Sequence, residues 1–283
     1  MNLNDKALLV QLNISQWAAR KYDRKATQQV ADANGTGNAA GRYNKALLPM
    51  NDQLAAVHKK TTEIRAAYYK NTLPWGIEGT QLLPTANYLN FMAEFRKAKG
   101  DWLELATTFV HKYDELRGSA RGFLAALYQE SDYPSCDEVA AKFSIDMAVF
   151  PVPNTDFRVS IVSEELTQIQ KDVEVRVREA GAMAMKEVWK RLYHHVEHIA
   201  ERLADPANGF RDSMLETAAE TCSMLTRLNV LDDPHLEQMR LEVSQKLIGF
   251  HPGALRNDPD LRRETAATAK QIMDQMSVFM GGQ

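Results

Sequence analysis

The hydrophobic positions of this chain change period several times, and each change predicts an element. Residues 7–14 place Leu8, Val10, Leu12 and Ile14 on one side and Leu9, Gln11 and Asn13 on the other, the period of a strand. From Trp17 to Ala33 the pattern is helical and strongly polar. Residues 34–41 (Asn-Gly-Thr-Gly-Asn-Ala-Ala-Gly) then break it and predict a loop. A helix follows over about 47–71, with Leu54, Val57, Ile64 and Tyr68 near one face. Pro74 stops it, because proline lacks the N–H and disfavours helix in the residue before it. Residues 74–84, bounded by Pro74 and Pro84, read as a turn.

Helical pattern returns over 85–99 and 101–129. In the second stretch Leu105, Phe109, Tyr113, Leu116, Ala120, Phe123 and Leu127 recur every three or four residues, an amphipathic core helix. Ser135 and Glu138 have the spacing of a capping box for a short helix ending near Lys142. Residues 143–150 alternate, residues 151–156 form a Pro-rich turn, and Phe157, Val159 and Ile161 alternate again. With residues 7–14 these predict a small three-stranded antiparallel sheet.

Ser163 is placed to cap a long helix, with Glu164 and Glu165 at its positive end. From Leu166 to Leu203 apolar residues recur every three or four positions, which predicts a helix of about 40 residues, roughly 60 Å long. Such a length requires packing along other long helices or another subunit. Helices over about 210–230, 234–249 and 259–279 follow, and Met273, Met276 and Met280 form a docking or core stripe. The expected fold is mainly α (α+β), with long packed helices and that small sheet. The expected division is a basic α+β region, 1–163, and a long-helix region, 164–283.

Charge sharpens the picture. Residues 1–75 carry eleven Lys/Arg and five Asp/Glu, a net +6, and the remainder carries −9. A near-neutral total therefore hides a basic, aromatic-bearing third, the composition of a polyanion-binding face. The hydrophobic share of 45% and charged share of 25% are those of a globular protein. No apolar run approaches the ~18 residues of a membrane span, and the N-terminus has no signal-peptide pattern. Cys136 and Cys222, without C-x-x-C spacing, predict two reduced thiols, not a zinc knuckle or a disulfide scaffold.

The basic residues coincide with aromatics. Trp17 precedes Arg20, Lys21, Tyr22, Arg24 and Lys25, and on a helix Lys21, Arg24 and Lys25 share a face with Trp17 one turn back. Arg42, Tyr43 and Lys45 repeat the mixture beyond the glycine loop. Lys59, Lys60, Arg65, Tyr68, Tyr69, Lys70 and Trp75 continue it. Lysine and arginine neutralise phosphates, and aromatic faces stack on unpaired bases. The competing reading is a solvated helix whose aromatics serve the core and whose charges pair with the acidic part of the chain.

Other chemistry is thinner. The glycine loop lacks the strand before it and helix after it that a dinucleotide fingerprint needs. His194, His198 and Glu201 share one stripe of the long helix, but with no H-E-x-x-H or E-x-x-H pattern, so no metal is expected. No nucleophile elbow, P-loop or kinase set is present, and no cofactor or enzymatic role is expected.

Five stretches carry a resemblance: residues 14–22 (Ile-Ser-Gln-Trp-Ala-Ala-Arg-Lys-Tyr), 40–45 (Ala-Gly-Arg-Tyr-Asn-Lys), 72–75 (Thr-Leu-Pro-Trp), 132–135 (Asp-Tyr-Pro-Ser) and 150–153 (Phe-Pro-Val-Pro). Over roughly residues 8–165 the chain resembles a family of uncharacterised tailed-phage proteins. The resemblance implies action in the cytoplasm of an infected bacterium and carries over no catalytic residues.

The expectation is a non-enzymatic phage accessory protein that binds nucleic acid, most plausibly single-stranded, in replication, recombination or genome protection. Arg20, Lys21, Arg24, Lys25, Arg42 and Lys45 would meet phosphates, and Trp17, Tyr22 and Tyr43 would stack. It would be a homo-oligomer joined through the 166–203 helix. The alternative is an oligomeric helical scaffold engaging a host or phage protein. A third reading, an acidic surface mimic, suffers because the −9 is not concentrated in any run.

Overall fold

The computed structural model of the chain describes residues 3–37, 40–154, 163–205 and 209–280. The elements are α1 (Leu3–Lys6), β1 (Ala7–Ser15), β2 (Arg20–Tyr22), α2 (Arg24–Ala33), β3 (Asn44–Ala46), α3 (Asp52–Asn71), β4 (Leu73–Pro74), β5 (Thr80–Pro84), α4 (Thr85–Leu124), α5 (Cys136–Ala140), β6 (Ser144–Pro151), α6 (Ser163–Ala204), α7 (Ser213–Leu228), α8 (Pro234–Val243), α9 (Pro252–Asn257) and α10 (Pro259–Phe279). The fold is mainly α, as expected, with long helices and antiparallel strand pairing. Among the described residues the small sheet has four strands, in the order β4-β5-β1-β6, and β2 and β3 form a separate two-stranded sheet. The expected strand over 157–161 lies outside the described residues.

Two readings change for a physical reason. The segment read as a turn over 74–84 contributes β5, whose Leu82 pairs with Leu9 on one side and Leu73 on the other. Its strand is too short, and too close to two prolines and two glycines, to show a period. The helices expected over 85–99 and 101–129 are one, because Gly100 continues the helix at a cost of about 1 kcal/mol relative to alanine.

The chain divides into two compact units built from non-contiguous segments. This differs from the contiguous 1–163 and 164–283 regions expected. Residues 12–68 and 92–147 form one unit. Its core gathers Trp17, Leu47, Leu48, Leu54, Phe109, Tyr113, Ala120, Tyr133 and Val139. The amphipathic stripe of α4 therefore faces the chain that carries β2, α2 and β3. Capping is by the rules: both hydrogen bonds of the Ser135–Glu138 capping box form at α5.

Residues 1–11, 69–91 and 148–283 form the other unit. Here α6 packs along α10 and α7. Ala184, Val188, Leu192, Val196, Ile199 and Leu203 of α6 join Leu215, Cys222 and Leu225 of α7 and Ala269, Ile272 and Met276 of α10. The partner expected along 166–203 is thus supplied within the chain from Ala180 onward. Leu166, Ile169, Val173 and Val177 remain only half-buried. Arg262, buried on α10, closes the C-terminus of α6 by donating to the carbonyls of Arg202 (2.8 Å), Leu203 (3.1 Å) and Asp205 (2.6 Å). A cation there also meets the negative end of the helix dipole. Among the described residues no helix is long and apolar enough to cross a membrane.

Candidate nucleic-acid interface

Eight of the nine residues singled out for nucleic-acid contact lie on one supersecondary piece, β2–α2–loop–β3, in the unit built from 12–68 and 92–147. The segment read as helix from Trp17 starts instead as a strand. Ala19 adopts a left-handed φ of 49°, which turns the chain so that residues 20–22 run antiparallel to 44–46. The register is Arg20↔Ala46, Lys21↔Lys45 and Tyr22↔Asn44. Backbone bonds extend the ladder on both sides, Leu47 N to Ala19 O (2.8 Å) and Asp23 N to Tyr43 O (2.9 Å). Helix begins only at Arg24, where Asp23 caps it by accepting from Ala26 N (2.9 Å). Thr27 fastens the return of the loop: its hydroxyl donates to Asp23 O (2.7 Å) and accepts from Tyr43 N (3.0 Å).

The strand period sorts the basic residues onto two faces. Lys21 and Lys45 face each other across the ladder, an arrangement that like charges disfavour. Asp132 resolves it, with Lys21 Nζ 2.8 Å from one carboxylate oxygen and Lys45 Nζ 2.7 Å from the other. Lys45 also lies 2.9 Å from Asp23 and donates to the carbonyl of Leu127 at 2.7 Å. The lysine and both carboxylates are buried.

The Asp23 carboxyl is held below its ordinary value by the Ala26 N–H and then by Lys45. Burial pushes Asp132 up, but Lys21 and Lys45 outweigh it and the net shift is down. Burial pushes Lys45 down, and Asp132 and Asp23 outweigh it, so it is held above its ordinary value. This is a charge-balanced structural clasp.

Two expected contacts are corrected by these positions. Lys45 is only 3% exposed and its ammonium is spent on Asp23, Asp132 and Leu127, so it does not reach a phosphate. Trp17, at 8% exposure, lies tilted against Phe109 and edge-on to Tyr113 with centroids 6.2 and 5.5 Å away, so its faces are core and not a stacking platform. Lys21 keeps half its side chain in solvent but is tied to Asp132.

The opposite face of the same hairpin is different. Arg20 and Tyr22 project there, and the Arg42 guanidinium sits 5.8 Å above the Tyr22 ring. Tyr22 is 45% exposed and Tyr43 40%. Arg24 and Lys25 are exposed in the first turn of α2, at the positive end of its dipole, where cations are disfavoured. Arg20, Arg24, Lys25 and Arg42 form no ion pair among the described residues. A cleft of about 470 Å³ opens beside this face between α2 and the loop, lined by Val30, Asn34, Thr36, Gly41, Arg42 and Tyr43 among others.

The glycine loop follows a helix and precedes a strand, the reverse of a dinucleotide loop. Among the described residues no group of three or more His, Cys, Asp and Glu is placed to hold a metal. Sequence reasoning missed Asp23 and Asp132 as the partners of Lys21 and Lys45. The available signal was the pairing of two lysines across a hairpin, invisible while residues 17–33 were read as one helix. Compared with protein-family models, curated proteins and solved structures, the chain matches none.

Proposed function

We propose that this protein binds single-stranded nucleic acid through the outer face of the β2–α2–β3 hairpin, without catalysing a reaction on it. The supporting observation is the split of charge across the hairpin. Lys21 and Lys45 are neutralised by buried carboxylates on one face, while Arg20 and Tyr22 project from the other with Arg42 over the tyrosine ring, Arg24, Lys25 and Tyr43 are exposed on the same β2–α2–β3 piece, and none of these four cations forms an ion pair among the described residues. Unpaired guanidiniums and ammoniums suit phosphates, and half-exposed rings suit the π-faces of unpaired bases. The exposed aromatic rings beside the cations favour single strands, whose unpaired bases can stack on them. In keeping with the resemblance to tailed-phage proteins, the proposed role is in phage DNA or RNA metabolism within an infected cell.

The test is fluorescence anisotropy of labelled single- and double-stranded oligonucleotides over a salt series. Binding should favour single strands and weaken steeply with salt as counterions are released, with a slope of about −0.7 per phosphate contact. Changing Arg20, Arg24, Lys25 and Arg42 together to Gln should flatten that slope. Absence of binding at low salt would overturn the reading and favour a protein partner for this face.

A further inference from the structure

A second concentration of positive charge lies in the other unit, where the sequence is acidic. Residues 163–280 carry twenty Asp/Glu against fifteen Lys/Arg. Yet the cleft of about 520 Å³ between the C-terminal half of α6 and the start of α7 is lined by His194, His195, His198, Arg202 and Arg211, with no carboxylate among its lining residues. The helical row explains the α6 side: His194, His198 and Arg202 are spaced by four and stack along one edge. Phe210, Ser213 and Thr217 line the other side.

Of the nearby acids, two are paired with cations outside the cleft and one stands beside a cleft histidine. Asp212 pairs with Arg256, and Glu220 with Lys70 at 3.0 Å. Glu197 stands 3.7 Å from His194. Glu201 on α6 and Glu216 on α7 are exposed and do not line the cleft.

One of the three imidazoles, His195, is half-buried. Burial depresses its pKa first, the neighbouring His194 and His198 add to the effect, and Lys70 adds a little more. Its Nε2 lies 2.9 Å from the Thr221 hydroxyl. The Thr217 hydroxyl donates to the backbone carbonyl of Ser213 at 2.7 Å.

We propose that this cleft binds a phosphate oxyanion, free or as the terminal phosphate of a small ester, with Arg202 and Arg211 as fixed charges and the three histidines as charges that strengthen the site on protonation. The volume equals about 17 waters at ~30 Å³ each, room for a phosphate and part of the group that carries it. By linkage, an anion that binds the protonated imidazoles better must raise their pKa values.

The experiment is NMR of the histidine Cε1–H resonances in the full-length chain, titrated over pH 5.5–8 at constant ionic strength with inorganic phosphate or thymidine monophosphate. Phosphate should raise the apparent pKa of His194, His195 and His198, with an affinity on the order of 1 mM. The double variant R202Q/R211Q should weaken binding about tenfold or more. Tighter binding of the nucleotide than of phosphate would assign the ligand to the nucleotide class. Equal binding would assign it to phosphate alone. Should the double variant fail to fold, H198Q and the wild-type shift map decide. Histidine shifts unchanged by up to about 20 mM phosphate, or shifts of the same size in the folded double variant, would overturn the proposal. The probe is not a nucleic acid, so that failure would leave the hairpin reading intact.

Discussion

Replacing Lys45 by Met separates the structural role of this lysine from the phosphate contact its sequence context implied. Met fills similar volume but carries no charge. Its introduction leaves Asp23 with only its cap hydrogen bond, Asp132 with only the half-exposed Lys21, and the Leu127 carbonyl without its donor. Breaking a buried ion pair from one side costs about 3–5 kcal/mol, because the opposing charge stays buried. With a urea m-value of about 2–3 kcal/mol/M, the midpoint should fall by roughly 1–2 M. The signal to follow is the fluorescence of Trp17 and Trp102, both buried in the unit that holds the clasp. Lys21→Met is the internal control. Its side chain is half in solvent, so it should cost no more than about 1 kcal/mol. If K45M unfolded within about 0.2 M of the wild type, or no differently from K21M, the clasp would not be the stabilising element described, whatever happened to ligand binding.

Three further outcomes follow from the same geometry. The pKa values of Asp23 and Asp132 are lower folded than unfolded, so their contribution is complete above the ordinary carboxylate range and is lost as pH falls through the folded values; urea midpoints from pH 7 to pH 3 should drop, and drop less in K45M. Arg262→Met should cost about 2–4 kcal/mol, because three carbonyls at the end of α6 lose a charged donor, and a thermal midpoint within a degree of the wild type would refute this. Burial pushes the Cys222 thiol up to about 11, so at pH 8 only about one molecule in 10³ carries the thiolate; a thiol reagent should modify the half-buried Cys136 first and reach Cys222 only on unfolding.

The sequence showed most clearly the elements whose apolar residues repeat over many turns. The stripe from Leu105 to Ala120 and that from Ala180 to Leu203 are the cores of the two units, because a long repeat averages over local exceptions. Short strands were hidden. Residues 20–22 hold two basic residues and a tyrosine, and nothing in three residues distinguishes a strand from a helical turn. Only the left-handed Ala19 and the pairing with 44–46 decide it. The oligomer expected from the length of α6 was an inference about a surface needing cover; α7 and α10 cover it from Ala180 onward, while Leu166, Ile169, Val173 and Val177 stay half-buried.

The candidate interface was legible as composition and illegible as geometry. Charge and aromatics marked the segment, but successive residues of a strand face opposite sides, which composition does not separate. Lys45 and Trp17 are buried on the inner side, while Arg20 and Tyr22 project to the outer, with Arg42 over the Tyr22 ring. The carboxylate that binds the inner side, Asp132, lies more than eighty residues further on, beyond the reach of a local pattern.

The central claim is that the outer face of the hairpin is where a single strand binds. The most direct measurement is photocrosslinking of a single-stranded oligonucleotide carrying 5-bromouracil, followed by mass-spectrometric mapping of the attached peptides. The account predicts crosslinks to Tyr22 and Tyr43 that salt abolishes, with none at the buried Trp17. Crosslinks confined to peptides outside residues 20–46, or efficient crosslinking to Trp17, would contradict it.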